Sequence, residues 1–492
     1  MGKKFLALIL TLMGFLFISA YIRACTCDVV YTDYIRLVNS YLNDVYSFKP
    51  YLGADIFTRM PITYLQRIIN VRAFAYSTLF DMMLGAAFLS ASVFFILYYA
   101  AKRGFSYTML LILALIGFSL NKWEMLINGS GWVHFMAFAL FFYHFYIYDR
   151  GTESRADFNL KLNKKNEADR RKLIILPYIM LLVSGPYILI YAFAMSAVYM
   201  IKIIVACKDL KKIKASLQDK AVLNIKLNTI KADIKFHIIY FINIFIPTAI
   251  YVYSRANSVE EHAGATQLPI TQVIASDPLL LIRLLLKSLA SVIFDNEVIK
   301  KAGISNTILF ITGIAVGIFY IYALYLNFYK GVFKASLLPA CLLFAGIAAH
   351  LLVVMSRWIF LKDSYAMSSR YALQFQSGTL GILLSLYLNK IKRREDLAEE
   401  SRQKSRRAKI AVSSICLYLI MGNLLTCSNE IQMSVYRKEN FAFKKAAALN
   451  YNKLSDKKLK EIFQYHDSVR IRKAFKILQE KKLNVFRTKH RK

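Results

Sequence analysis

The sequence predicts an all-α membrane protein: a polytopic bundle of about eleven transmembrane helices. Three observations predict it. Of 492 residues, 57% are apolar and 14% aromatic, a richer mixture than soluble domains carry. The apolar residues gather in runs long enough to cross a bilayer. Lys and Arg number 65 against 30 acids, a net charge of +35, and they collect in alternate loops. In a soluble chain such a charge would suggest nucleic acid. In a membrane chain it marks loops held on the cytoplasmic side, so the expected partners are membrane lipids and nucleic acid is not one of them.

Taken in order, Lys3 and Lys4 precede the first span, Phe5–Tyr21, and set the N-terminus inside. The segment from Ile22 to about Ser77 is then outside. The second span, Thr78–Ala101, ends at Lys102 and Arg103. The third, Ser106–Leu120, leads to a short outer loop, Asn121–Trp132, with one acid, Glu124. The fourth, Val133–Tyr148, returns to the basic loop Asp149–Lys172. Leu173–Cys207 is too long for one crossing, and Ser184–Gly185–Pro186 breaks it into a fifth and a sixth span, because Pro cannot continue the helical ladder. The basic loop Lys208–Lys235 precedes the seventh span, Phe236–Val252.

A second outer segment, from Tyr253 to about Ser305, contains the apolar stretch Leu279–Phe294. Arg283, Lys287 and Ser291 recur there every four residues on one face. That pattern reads as an in-plane helix; as a span it would turn the basic loop Lys390–Lys409 outward, against the charge rule. The eighth and ninth spans are Thr307–Phe328 and Ala335–Met355. The outer loop from Ser356 to Tyr371 follows. The tenth is Ala372–Leu388 and the eleventh Ile410–Cys427. Residues 1–427 thus form the membrane domain. Residues 428–492 form a basic tail with helical periodicity at Leu454, Leu459, Ile462, Ile471, Phe475 and Leu478, expected outside.

The first outer loop is where chemistry is expected. Tyr31, Tyr34/Ile35, Val38, Tyr41/Leu42 and Val45 recur every three to four residues, the apolar stripe of a helix lying on a membrane surface. Asp33 and Arg36 share the opposite stripe, one turn apart. The bland reading makes them the wet face of that helix. The six cysteines show no zinc spacing, and Cys25 and Cys27 are too close to bridge each other easily. There is no Walker loop, GxGxxG, GxSxG or HExxH. His134, His144 and His350 sit on apolar spans and read as packing residues. Asp81 reads as a cap at the start of the second span.

What topology gathers on the outer face is a set of acids, Asp28, Asp33 and Glu124, with Trp123, Arg36, Arg283, Lys287, Arg357, Arg370 and Tyr371. A carboxylate can take the proton of an acceptor hydroxyl. Arginine forks bind phosphate oxygens and stay charged.

With a cytoplasmic N-terminus, an acid just after the first span, interfacial helices in that loop and about a dozen spans, the layout resembles the GT-C superfamily of membrane glycosyltransferases. The segments Thr32–Asp33–Tyr34–Ile35–Arg36 and Ser369–Arg370–Tyr371, and the closing Leu478–Gln479–Glu480 with Leu483–Asn484–Val485–Phe486, resemble bacterial multi-pass proteins of that shape. The resemblance implies transfer of a sugar from a polyprenyl-phosphate donor to a glycan or lipid-linked acceptor of the cell envelope, at the outer face of the plasma membrane. It implies that Asp33 is the base or a metal contact. The outer-face residues themselves put Arg36, Glu124, Arg357, Arg370 and Tyr371 forward as substrate-binding groups. Many members carry two adjacent acids; here Asp28 or Glu124 would be the second, which leaves a divalent metal, Mg or Mn, as an open expectation. Two other readings stand beside it: a polysaccharide polymerase or ligase, and a transporter or flippase of lipid-linked sugar. Against the transporter stands the near absence of ionisable residues at mid-span and of an inverted repeat.

Overall fold

The structure, a computed structural model, describes residues 2–156, 164–216, 220–258, 264–396 and 402–487. Parts of the three basic loops expected at 149–172, 208–235 and 390–409, and the last residues of the tail, lie outside the described residues. The described chain is all-helical and contains no strand. The N-terminal half comprises α1 (Lys3–Cys25), α2 (Asp33–Tyr41), α3 (Ile62–Phe74), α4 (Thr78–Lys102), α5 (Tyr107–Gly117), α6 (Trp123–Ile127), α7 (Trp132–Ala156), α8 (Lys164–Val183), α9 (Ile188–Ser216) and α10 (Lys220–Ala256). The other half comprises α11 (Ile270–Ser276), α12 (Leu280–Ala290), α13 (Asn296–Ala302), α14 (Asn306–Phe328), α15 (Val332–Ala335), α16 (Leu338–Arg357), α17 (Ala372–Asp396), α18 (Arg402–Leu449), α19 (Asp456–Phe463) and α20 (Ser468–Glu480).

Among the described residues seven helical stretches are long and apolar enough to cross a membrane: Lys3–Cys25, Thr78–Lys102, Tyr107–Ile127, Gly185–Ile213, Lys226–Ala256, Asn306–Phe328 and Leu338–Phe360. Long helices pack side by side, α1 on α4, α4 on α7, α9 on α10 and α16 on α17. The last pair approaches backbone to backbone: a Cβ added at Gly346 would come within 2.7 Å of the Gly378 amide. Without a hydrophobic drive between helices in lipid, small residues that allow such approach supply the packing. The stretch around Arg283 and Lys287 forms α12, whose 11 residues reach about 16 Å. That is half of the roughly 30 Å apolar thickness of a bilayer. It packs on α14 and α16 instead.

The bundle has two polar ends. At one end the Lys3 ammonium donates to the Gly104 carbonyl (2.9 Å), Arg103 pairs with Asp149 (3.1 Å), and Lys392 donates to the Lys330 carbonyl (3.0 Å). The α4–α5 and α14–α16 connections and the stretches of α7 around Asp149 and of α17 around Lys392 therefore lie with the N-terminus. The opposite end carries the segment between α1 and α4, the α5–α7 turns, the Ser184–Tyr187 break, the α16–α17 loop and the C-terminal helices.

Two features of that far end differ from the sequence expectation. The apolar stripe of α2 (Tyr34, Ile35, Val38, Tyr41) is buried in protein, and α2 packs on α20. It does not lie on the membrane surface, because the C-terminal helices, invisible to a local periodicity, cover it. The chain also runs unbroken through positions 427 and 428 inside α18, a helix of 48 residues. The separate small unit starts after Leu449. It is pinned to the first loop by three backbone-directed bonds: Thr32 N–H to the Phe463 carbonyl (2.9 Å), Asn39 Nδ2 to the Arg470 carbonyl (2.8 Å) and Asn484 N–H to the Ala75 carbonyl (2.8 Å).

Candidate functional site

Asp33 opens α2. Thr32, at φ 47°, turns the chain so that the helix starts there. A carboxylate in the first turn faces the positive end of the helix dipole. Glu124 lies on the short helix α6. Gly129, in the turn after α6, lets that segment press on α4: a Cβ there would come within 2.8 Å of the Thr78 carbonyl.

The α16–α17 loop is braced from two sides. On one side Asp363 accepts from Lys287 (2.8 Å) and Arg283 (3.3 Å) of α12, and Arg283 also pairs with Asp277. The outer cations of α12 are thus employed in holding the loop. On the other side Glu124 Oε1 accepts from Arg370 Nε at 2.5 Å, and its Oε2 accepts from the Ser368 and Ser369 hydroxyls (3.3 and 3.2 Å). Burial works to lower the Arg370 pKa, but Glu124 and Asp33 together carry it above the ordinary value.

Around Arg370 stand the other groups. Arg357 lies over the Tyr371 ring at 5.3 Å, and its Nε has no hydrogen-bond partner. Burial raises the Tyr371 phenol, with the two arginines pulling the other way. Tyr187, in the break between α8 and α9, contacts the His134 ring edge-on at 4.9 Å. Asp33 is half-buried and makes no hydrogen bond or ion pair among the described residues, yet its charge acts on Tyr31, His134 and Arg370. Burial, then Glu124, pushes the Tyr31 phenol up.

The structure joins Glu124 to Arg370 and Arg357 to Tyr371, and the Asp33 charge acts on Arg370. It does not bring Arg36 to them. Arg36 is exposed on α2, and no ion pair joins it to Asp33. Glu124 is turned onto Arg370 and two serines, which makes it a positioning residue. Asp28 has a different task. Its Oδ1 accepts from Thr78 N–H (2.8 Å), Thr78 Oγ1 (2.9 Å) and Asn484 Nδ2 (2.9 Å), tying the α4 start to the C-terminal unit.

That donor set does not suit a metal at Asp33. Among the described residues the one group of three acids with converging oxygens is Asp295, Glu297 and Glu430, within 4.8 Å of one another. A guanidinium already serves it: Arg437 pairs with Glu430 (2.8 Å) and Glu297 (2.7 Å) and stacks on Trp123 at 3.5 Å. With Tyr21 donating to Glu430 (2.9 Å), this hub ties α1, α6, α13 and α18 together.

Several residues at the site escaped the sequence reading. His134 and Tyr187 sat in apolar runs and looked like packing. Tyr31 looked like one stripe residue among many. Lys444 is 5% exposed and lies over the Tyr31 and Phe441 rings (5.1 and 5.3 Å); burial lowers its pKa to about 8. Only a helix that continues outward past the last apolar run delivers it there.

No family model, no curated protein and no solved structure matches this chain. The chemistry therefore has to be argued from the cluster itself. A half-buried carboxylate with no partner among the described residues acts on the Arg370 guanidinium, and Arg357, whose Nε has no partner among the described residues, lies over the neighbouring Tyr371 ring. Such a set can take a proton from a neutral hydroxyl and hold an anion nearby.

Proposed function

We propose that the protein is a plasma-membrane glycosyltransferase that moves a sugar from a polyprenyl-phosphate donor to a cell-envelope glycan or lipid-linked acceptor. The observation that carries this reading is a half-buried Asp33 carboxylate whose charge acts on Arg370, in the loop where Arg357 lies over the Tyr371 ring. In this reading the chain crosses the membrane about eleven times, with the basic loops and the N-terminus in the cytoplasm and the C-terminal helices outside. The reaction then occurs on the outer face.

Asp33 accepts the proton of the acceptor hydroxyl. The acceptor oxygen forms a bond to the anomeric carbon as the bond from that carbon to the phosphate oxygen breaks. The bond electrons leave on the polyprenyl phosphate, and Arg357 and Arg370 take up the growing charge. Glu124 fixes the Arg370 fork, and Tyr187 and Tyr371 offer ring faces to a sugar. No step is assigned to a metal.

The test is Asp33→Asn, which keeps shape and removes charge. Reconstituted protein is given a polyprenyl-phosphate sugar together with a lipid-linked glycan acceptor, and the glycosylated acceptor and the free polyprenyl phosphate are both measured. The expected loss is about a hundred- to ten-thousand-fold in rate with donor binding retained. Near-normal transfer by the Asn variant overturns the assignment of Asp33. Absence of transfer by the native protein across sugar donors overturns the reaction class.

A further inference from the structure

Helix α3 is built inside out. Four of its five buried residues are polar: Thr63, Gln66 and Arg67 are each 6% exposed and Asn70 1%, beside the Tyr64 ring at 6%. Its large exposed side chains are apolar apart from Arg72: Leu65 and Ile69 are each 54% exposed and Phe74 42%. A helix on the surface of a soluble domain shows the opposite arrangement. Each buried polar residue has a reason to face inward. Asn70 donates to Asp81 (2.8 Å) and to the Ser77 carbonyl (3.0 Å), and Gln66 donates to Asp81 as well. Asp81 also accepts from Tyr34 of α2 at 2.6 Å. Arg67 lies against the Tyr41 and Tyr64 rings at 4.4 and 5.3 Å.

The outward apolar face is continuous with a membrane-crossing helix. Phe74 stacks on Phe80, in the first turn of α4, at 4.0 Å. At the rim, Arg72 lies over the Tyr46 ring at 5.0 Å, the aromatic and cationic pairing that marks a headgroup level. Helix α3 packs against both α4 and α8. We propose that α3 lies in the outer interface of the bilayer, with Leu65, Ile69 and Phe74 in contact with lipid acyl chains. It then acts as the wall that separates lipid from the polar network on Asp81. Water cannot be the partner of that face without leaving three large apolar side chains wet beside a buried arginine.

This inference rests on the membrane nature of the bundle and not on the transferase reading. The experiment is site-directed spin labelling in liposomes. The six cysteines are replaced, and nitroxides are placed at Leu65, at Ile69 and, as an aqueous control, at Glu480. Labels at 65 and 69 should be relaxed by dissolved oxygen far more than by a water-soluble nickel chelate, with the reverse at 480. Nickel-dominated relaxation at 65 and 69 overturns the proposal, because the face is then wet. Weak relaxation by both agents also overturns it, because a second copy of the chain or another protein then covers the face. A second measurement uses the native cysteines. Ile69→Asp should lower the thermal transition in nanodiscs by several degrees if the face is in lipid. An unchanged transition sinks the idea.

Discussion

Glu124 and Arg370 are joined across 246 residues of sequence by a 2.5 Å bond from Nε to Oε1. The same carboxylate gathers Ser368 and Ser369, so one side chain sets the position of the loop that carries Arg370 and Tyr371. Removing its charge should act on binding through Arg370. Glu124→Gln is expected to raise the donor KM about fivefold, the size of a half-exposed pair worth about 1 kcal/mol, with kcat changed less. In an Arg370→Ala background the further effect of Glu124→Gln should vanish, and a double-mutant cycle measures that. Additive losses would mean that Glu124 meets substrate directly.

The Arg437–Glu430 pair gives a stability prediction. Glu430 is fully buried and Arg437 is its cation at 2.8 Å. Arg437→Met leaves a buried carboxylate without its counter-charge and should cost about 3–5 kcal/mol. Arg437→Met with Glu430→Gln should recover a large part of this, since the stranded charge is then gone. Thermal melts of the purified variants in detergent check both. Equal destabilisation by the single and the double variant would contradict the account.

Asp295 supplies a pH dependence. Burial raises its carboxyl to about 6. A raised acid binds more protons folded than unfolded, so this group favours the folded state at low pH and the contribution is lost as pH rises from about 4 through about 6. Asp295→Asn keeps the hydrogen bond that caps α13 at Glu297 N–H and removes the titration. The variant is expected to be more stable than the native chain at pH 7–8, by on the order of 2 kcal/mol, and equal to it near pH 4. A melting-temperature series against pH reads this directly; a gap that stays constant across the series would refute it.

Lys4 and Glu439 lie at opposite ends of the bundle, since Lys3 reaches Gly104 while Lys438 donates to the Arg23 carbonyl at the far end of α1. Cysteines placed at 4 and 439, in a chain with its own cysteines replaced, should react with a membrane-impermeant maleimide on opposite sides. In intact cells position 439 is expected to label and position 4 only after lysis. Labelling of both from one side would mean that the number of crossings is even.

The helical class and the presence of several membrane-crossing helices were legible because bilayer length is a local, additive signal. The nearness of Glu124 and Arg370 was legible in part, because both fall in short loops expected on one face. The partners were not. Nothing near Asp33 in sequence announces His134 or Tyr187, since a histidine or tyrosine in an apolar run packs far more often than it serves a site. The pairing of Asp33 with Arg36 followed helix spacing, but α2 leaves Arg36 exposed and no ion pair joins the two, while the Asp33 charge acts on Arg370. The α2 stripe misled because its cover, α20, arrives from the other end of the chain.

Asn484 closes on Asp28 and on the Tyr76 carbonyl, both at 2.9 Å, across as many as 456 residues. At a synthesis rate of about 5–20 residues per second, that separation is on the order of half a minute to a minute and a half. Throughout that interval the loop bearing Asp33 has emerged from the ribosome without the segment that pins it. The loop and its covering helices also have to arrive on the same side before the pins can form. Membrane insertion order thus becomes a quality check: a chain that miscounts one crossing strands α20 away from α2, and leaves the apolar stripe of α2 bare for the cell's surveillance proteases.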